Sequence, residues 1–78
     1  MIVRAAIKAK DGLIYQGDIG QRHGDILLHR PHLYQSGEIY GFVTNAGVFL
    51  NRQEAGKLAF DCGQTKEYKQ TLYTEDLW

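Results

Sequence analysis

Arg22 and Arg52 carry the most suggestive chemistry in this chain. Each stands at or near the start of an expected helix, where main-chain N–H groups and the helix dipole already favour an anion. A guanidinium added there offers a planar fork for phosphate or carboxylate. Taken as sequence alone, two solvent-facing arginines are the commoner case, because a cation in a first turn costs little in water. Tyr40 and Phe42 carry rings that can stack on a base, although core packing is the more frequent use of such residues. His23, His29 and His32 fit no zinc spacing and have no cysteine pair beside them, so no metal centre is expected. Cys62 with a histidine would make a nucleophile and its base. Its place on an apolar helical stripe instead marks it as a small core residue. The glycines form neither GxGxxG nor GxxxxGK, hence no standard nucleotide loop. The pattern favours binding over catalysis, without a cofactor.

The stretch from Tyr40 to Gly63 must position most of these groups. Glu38 to Thr44 reads as a strand with Ile39, Gly41 and Val43 on one face and Tyr40, Phe42 and Thr44 on the other. Both faces are partly apolar, as a central strand requires. Asn45-Ala46-Gly47 turns the chain, and Val48 to Leu50 pairs back. Asn51 then precedes Arg52-Gln53-Glu54, a capping acceptor followed three places on by a glutamate. Ala55, Leu58, Ala59 and Cys62 recur at i, i+3, i+4 and i+7. Gly63 can take the left-handed conformation that ends the helix. Phe60 lies off the stripe and needs cover from the rest of the fold, a second subunit or a ligand.

The flanking segments are simpler. Ile2 to Lys10 alternates, with Val3, Ala5, Ile7 and Ala9 opposite Arg4, Ala6, Lys8 and Lys10. Asp11-Gly12 turns it into a partner strand over Leu13 to Gln16, a β-hairpin. Small Ala5 and Ala9 leave room for a helix packed close above. Gly17 to Gly20 is a loop with Asp18 as candidate cap, and Arg22 to Arg30 a helix. Ile19, His23, Ile26, Leu27 and Arg30 form its stripe. Pro31 disfavours helical geometry at Arg30 and stops it. His32 to Gly37 and Gln64 to Gln70 are polar loops, and Thr71 to Tyr73 a short strand. The segment closing on Trp78 should dock rather than wave. The expected fold is α+β in the order ββαββα, an antiparallel sheet carrying two helices, in one domain over 1–78.

Charge and length limit the partners. Nine basic and nine acidic residues cancel, so no overall field gathers nucleic acid or a membrane surface. No apolar run is long enough to span a bilayer and no signal-peptide pattern opens the sequence. With one cysteine the chain has no internal disulfide and suits a reducing cytoplasm. Seventy-eight residues bury a modest core, and domains of this size often gain stability by self-association.

Five short motifs occur in a specific order: Arg22-His23, Gly41-Phe42-Val43-Thr44, Asn51-Arg52-Gln53-Glu54-Ala55, Gly63-Gln64 and Thr74-Glu75-Asp76-Leu77-Trp78. Together they span most of the chain and resemble the phage-encoded anti-Thoeris cyclic-nucleotide sponges. Three departures stand out: Gly24 after His23, Thr74 in place of serine, and a short segment between the first helix and Gly41. The resemblance implies a non-enzymatic protein that sequesters a cyclic ADP-ribose isomer in the host cytoplasm and blocks bacterial anti-phage signalling. It also implies a homo-oligomer with pockets at subunit boundaries. The ligand-binding residues it carries over are Arg22, His23, Phe42, Asn51 and Arg52. Their implied roles are an aromatic face for adenine, arginines for the pyrophosphate and an amide for a ribose hydroxyl or phosphate oxygen. The other reading is a protein-binding inhibitor or small phage accessory protein with no nucleotide ligand.

Overall fold

Residues 1–30 and 38–78 are described by the computed structural model, and the loop expected over His32 to Gly37 lies outside them. The described residues form β1 (Ile2–Lys8), β2 (Ile14–Gln16), α1 (His23–His29), β3 (Ile39–Thr44), β4 (Phe49–Asn51) and α2 (Arg52–Asp61). A short 3-10 turn follows over Thr74–Asp76. The order is ββαββα, as expected. All strand pairs are antiparallel, and the sheet runs β2-β1-β3-β4. β3 is central, in keeping with its two partly apolar faces.

Register decides which side chains share the core. Ala5 lies opposite Phe42, Ile7 opposite both Tyr40 and Tyr15, and Phe42 opposite Leu50. Cross-strand partners project to the same face of a sheet, and both helices cover this one. Ile26 and Leu27 of α1 pack with Ala5 and Ile7, where the small alanine admits the helix. Ala55 and Ala59 of α2 pack with Ile2, Phe42 and Leu72. Trp78 packs against both groups, so the docked segment joins the two halves of the core.

Strict alternation in β1 fails at its first residues. The register shifts between Ile2 and Arg4, and this irregularity turns Ile2 inward, leaving it buried and Val3 only half-buried. A bulge of this kind admits one extra residue and changes which side chain faces the core. Strands β1 and β2 are also shorter than their sequence pattern. The turn between them closes through Ala9 N–H donating to the Leu13 carbonyl at 2.8 Å. Asp11 Oδ1 accepts from Leu13 N–H at 3.0 Å.

The second helix follows its caps closely. Asn51 Oδ1 accepts from Glu54 N–H at 2.8 Å, and Glu54 Oε1 accepts from Asn51 N–H at 3.0 Å. Gly63 has φ +80° and ends the helix. Ala55 and Ala59 are buried, but Cys62 is exposed. The helix stops at Asp61, and the last position of the stripe falls on its cap, where the chain is already leaving the helix. Cys62 is therefore no core residue. Phe60 receives partial cover from Tyr68, edge-on at 5.9 Å, and stays 43% exposed.

Two local expectations are corrected by hydrogen bonding. Asp18 does not cap α1: its N–H donates to Gln21 Oε1 at 2.8 Å, and its carbonyl accepts from Gln21 N–H at 3.0 Å. This turn leaves Ile19 outside the helical stripe, 77% exposed. Arg22 takes the cap position, and Asp25 Oδ2 accepts from its N–H at 2.9 Å. Arg30 ends the helix before Pro31. Thr71 to Tyr73 forms no strand, because Leu72 N–H donates to the Arg52 carbonyl of α2 at 3.1 Å. That strap lies so close to α2 that a Cβ on Gly56 would overlap the Lys69 carbonyl.

Candidate functional site

The start of α1, the start of α2 and the 3-10 turn meet around one cavity of about 350 Å³. Arg22, His23, Gly24 and Asp25 line it from α1, Arg52 from α2, and Thr74 and Glu75 from the turn. The two arginines, thirty positions apart in sequence, thus share a wall. Each sits where it does because its helix begins there.

Arg52 is held by two aromatic faces. Its Cζ lies 5.2 Å from the Tyr40 ring centre and 4.8 Å from that of Tyr73. Such contacts each stabilise by about 0.5–1 kcal/mol, more when desolvated. Its Nε is buried without a hydrogen-bond partner. Among the described residues, no aspartate or glutamate side chain forms an ion pair with either Arg22 or Arg52. Arg22 is anchored differently: its Nε and Nη2 donate to the main-chain oxygen of Trp78 at 3.2 and 2.6 Å.

His23 is buried at the back of the cavity, its Nε2 2.7 Å from the Gly41 carbonyl oxygen. An imidazole nitrogen facing a carbonyl must carry the proton. The ring meets Phe42 edge-on at 5.3 Å and Tyr40 at 5.4 Å. Burial is the main cause that holds the His23 pKa below its ordinary 6.5, and the Arg52 charge adds to it; the Gly41 and Ala6 main chain and Glu75 oppose both. The unfolded chain therefore takes up this proton before the folded one does. Stability contributed by neutral His23 is complete above about pH 6.5 and falls as the pH drops through that value towards the folded pKa. Chemical denaturation between pH 7 and 5 should show the wild type losing stability more steeply than His23→Gln, by at most about 1.4 kcal/mol per pH unit. Equal slopes would contradict this origin.

The acidic groups of the cavity are already engaged. Asp25 accepts from Arg22 N–H, and Glu75 Oε1 accepts from the Thr74 hydroxyl at 3.2 Å.

Of the residues singled out in the sequence, Arg22, His23 and Arg52 come together. Asn51 adjoins them but spends its side-chain oxygen on the cap. Phe42 has no exposed surface; it sits behind His23 and meets Trp78 edge-on at 6.4 Å. It offers no face to a ligand. Sequence reasoning missed Thr74 and Glu75 as walls and Tyr73 as a brace for Arg52. The signal that locates them is the apolar terminus that docks, since a segment anchored by Trp78 must lay its preceding residues on the sheet-and-helix surface.

No curated protein and no solved structure matches the chain. A family model does, that of the phage T4 y16D protein, over residues 1–78. The phage origin implied by the motif order is therefore sound, while the match says nothing of sponge activity. The chain belongs to the phage T4 y16D protein family.

Proposed function

We propose that this protein is a non-enzymatic sponge for a cyclic nucleotide immune messenger of the cyclic ADP-ribose class. The observation that carries this reading is the convergence of Arg22 and Arg52 on one cavity, with neither guanidinium ion-paired to an aspartate or glutamate among the described residues and one edge of Arg22 held by the Trp78 main-chain oxygen. Paired guanidinium forks match the geometry of phosphate oxygens. Tyr73, 46% exposed, lies outside the cavity lining with one ring face against Arg52, so adenine would stack on its other face. A phage protein of this kind would work in the host cytoplasm and hold the signal away from its effector.

The volume of about 350 Å³ is near the small end for ligand cavities. Arg22, Gly24, Asp25 and Glu75 of its lining are exposed, so the cavity is open to solvent. A second copy closing that opening is what the resemblance to the sponges implies, so a homo-oligomer belongs to the proposal. If no nucleotide binds, the protein-binding reading has its own seat. An apolar groove of about 410 Å³ lies between β4 and α2, walled by Val48, Leu50 and Leu58.

Thermal melting with a panel of cyclic ADP-ribose isomers and cyclic dinucleotides tests the proposal. Ligand at a hundred times its dissociation constant stabilises by about 2.7 kcal/mol. For a domain of this size that is a rise of roughly 10–20 °C. Ligand recovered after heating should be intact. A panel that shifts nothing refutes the sponge, and a linearised product refutes the absence of catalysis.

A further inference from the structure

We infer that Trp78 is a positioning residue for the anion site, acting through Arg22; the inference rests on the binding role just proposed. Trp78 does not line the cavity, yet it grips the chain at Arg22 from two directions. Its main-chain oxygen accepts from Nε and Nη2 of Arg22. Its indole Nε1–H donates to the carbonyl of Gln21, the residue just before Arg22, at 2.7 Å. The ring itself is seated against Phe42 and between both halves of the core.

A guanidinium has five N–H donors. With the Nε/Nη2 edge taken by Trp78, the other edge is left for an anion in the cavity. Arg22 is exposed, and ordering such a long side chain at the moment of binding would cost affinity. Trp78 fixes its direction in advance. The segment from Thr74 to Trp78 thereby supplies both a wall, through Thr74 and Glu75, and the brace for a cation on the opposite wall. This is a supporting shell around a binding group, whose loss reaches the ligand without touching it.

The test is a double-mutant cycle read by calorimetry with pyrophosphate and with the cyclic ADP-ribose isomers. Trp78→Phe keeps an apolar ring in the core but removes the indole donor. Losing that hydrogen bond should weaken binding about three- to tenfold in the wild-type background. In an Arg22→Ala background the same change should weaken binding by less than about twofold, because the residue it acts through is gone. Equal losses in both backgrounds would show a merely structural role and overturn the inference. So would unchanged affinity of Trp78→Phe with the fold intact. Wild-type protein that binds neither pyrophosphate nor any cyclic isomer would overturn the binding role itself, a result the variants cannot mimic. Arg22→Lys keeps the charge without the two-edged fork and should recover less than half of the binding free energy lost on Arg22→Ala.

Discussion

Arg52→Ala will weaken binding of a cyclic ADP-ribose isomer by roughly 10- to 150-fold, the loss expected for a charge-assisted hydrogen bond of about 1.5–3 kcal/mol. The same change will barely alter the melting temperature. The variant loses two contacts with the Tyr40 and Tyr73 rings, about 0.5–1 kcal/mol each. It also removes a buried Nε with no partner, whose desolvation costs about 1–3 kcal/mol. The two effects nearly cancel. A residue kept for stability alone would show the opposite pattern, a lower melt with unchanged affinity. Arg52→Lys should fall between wild type and alanine, since it keeps the charge but loses the planar fork and the stacking. Calorimetry and melting on the three proteins decide the matter.

Gly56→Ala should be a damaging change despite its conservative chemistry. The added methyl would overlap the carbonyl of Lys69, a main-chain atom that cannot rotate away. Forced overpacking costs about 1–3 kcal/mol and more where backbone must move. Folding stability for a chain of this length is about 4–12 kcal/mol. The substitution should lower the melting temperature by roughly 10 °C or more. It should also weaken ligand binding, because the displaced strap leads through Leu72 and Tyr73 directly to the Thr74 wall. Helix propensity argues the other way, as alanine is favoured over glycine by about 1 kcal/mol. The prediction is that sterics win; a stabilised variant would show that the strap yields freely.

The contrast between these two positions shows what the sequence could reveal. Arg52 was legible because a local signal, the Asn51–Glu54 box, fixes where α2 begins and so where its first side chain points. Arg22 was legible only through the mixed apolar stripe that starts the first helix near it, because the capping signal there points to Asp18 and not to its true partner Asp25. Gly56 was not legible. Nothing local distinguishes a glycine tolerated in a helix from one required by a strap thirteen residues later. Phe42 shows the same limit from the other side. Alternation puts it on one face with Tyr40 and Thr44 without saying which face meets the helices, and a motif resemblance could not say that His23 and Trp78 would cover it. Cys62 failed for a smaller reason: a periodic stripe says which face is apolar, not at which residue the helix stops.

The docked terminus gave the fold its least expected economy. Read as an aromatic tail seeking cover, Trp78 turned out to join both halves of the core and to hold the Gln21–Arg22 corner. Partial burial of a large ring and placement of a cation are served by one side chain and its main-chain oxygen. Such coupling of packing to site geometry is available even to a domain too small for a separate scaffold.

The most direct test is a two-dimensional NMR titration of the full chain with a cyclic ADP-ribose isomer panel, resolving main-chain amides and arginine Nε–H groups. Binding in the cavity lined by the two arginines predicts shifts concentrated at Arg22 to Asp25, the Arg52 Nε–H, Thr74 and Glu75. Shifts confined to the groove between β4 and α2, or no shifts with any member of the panel, would contradict it.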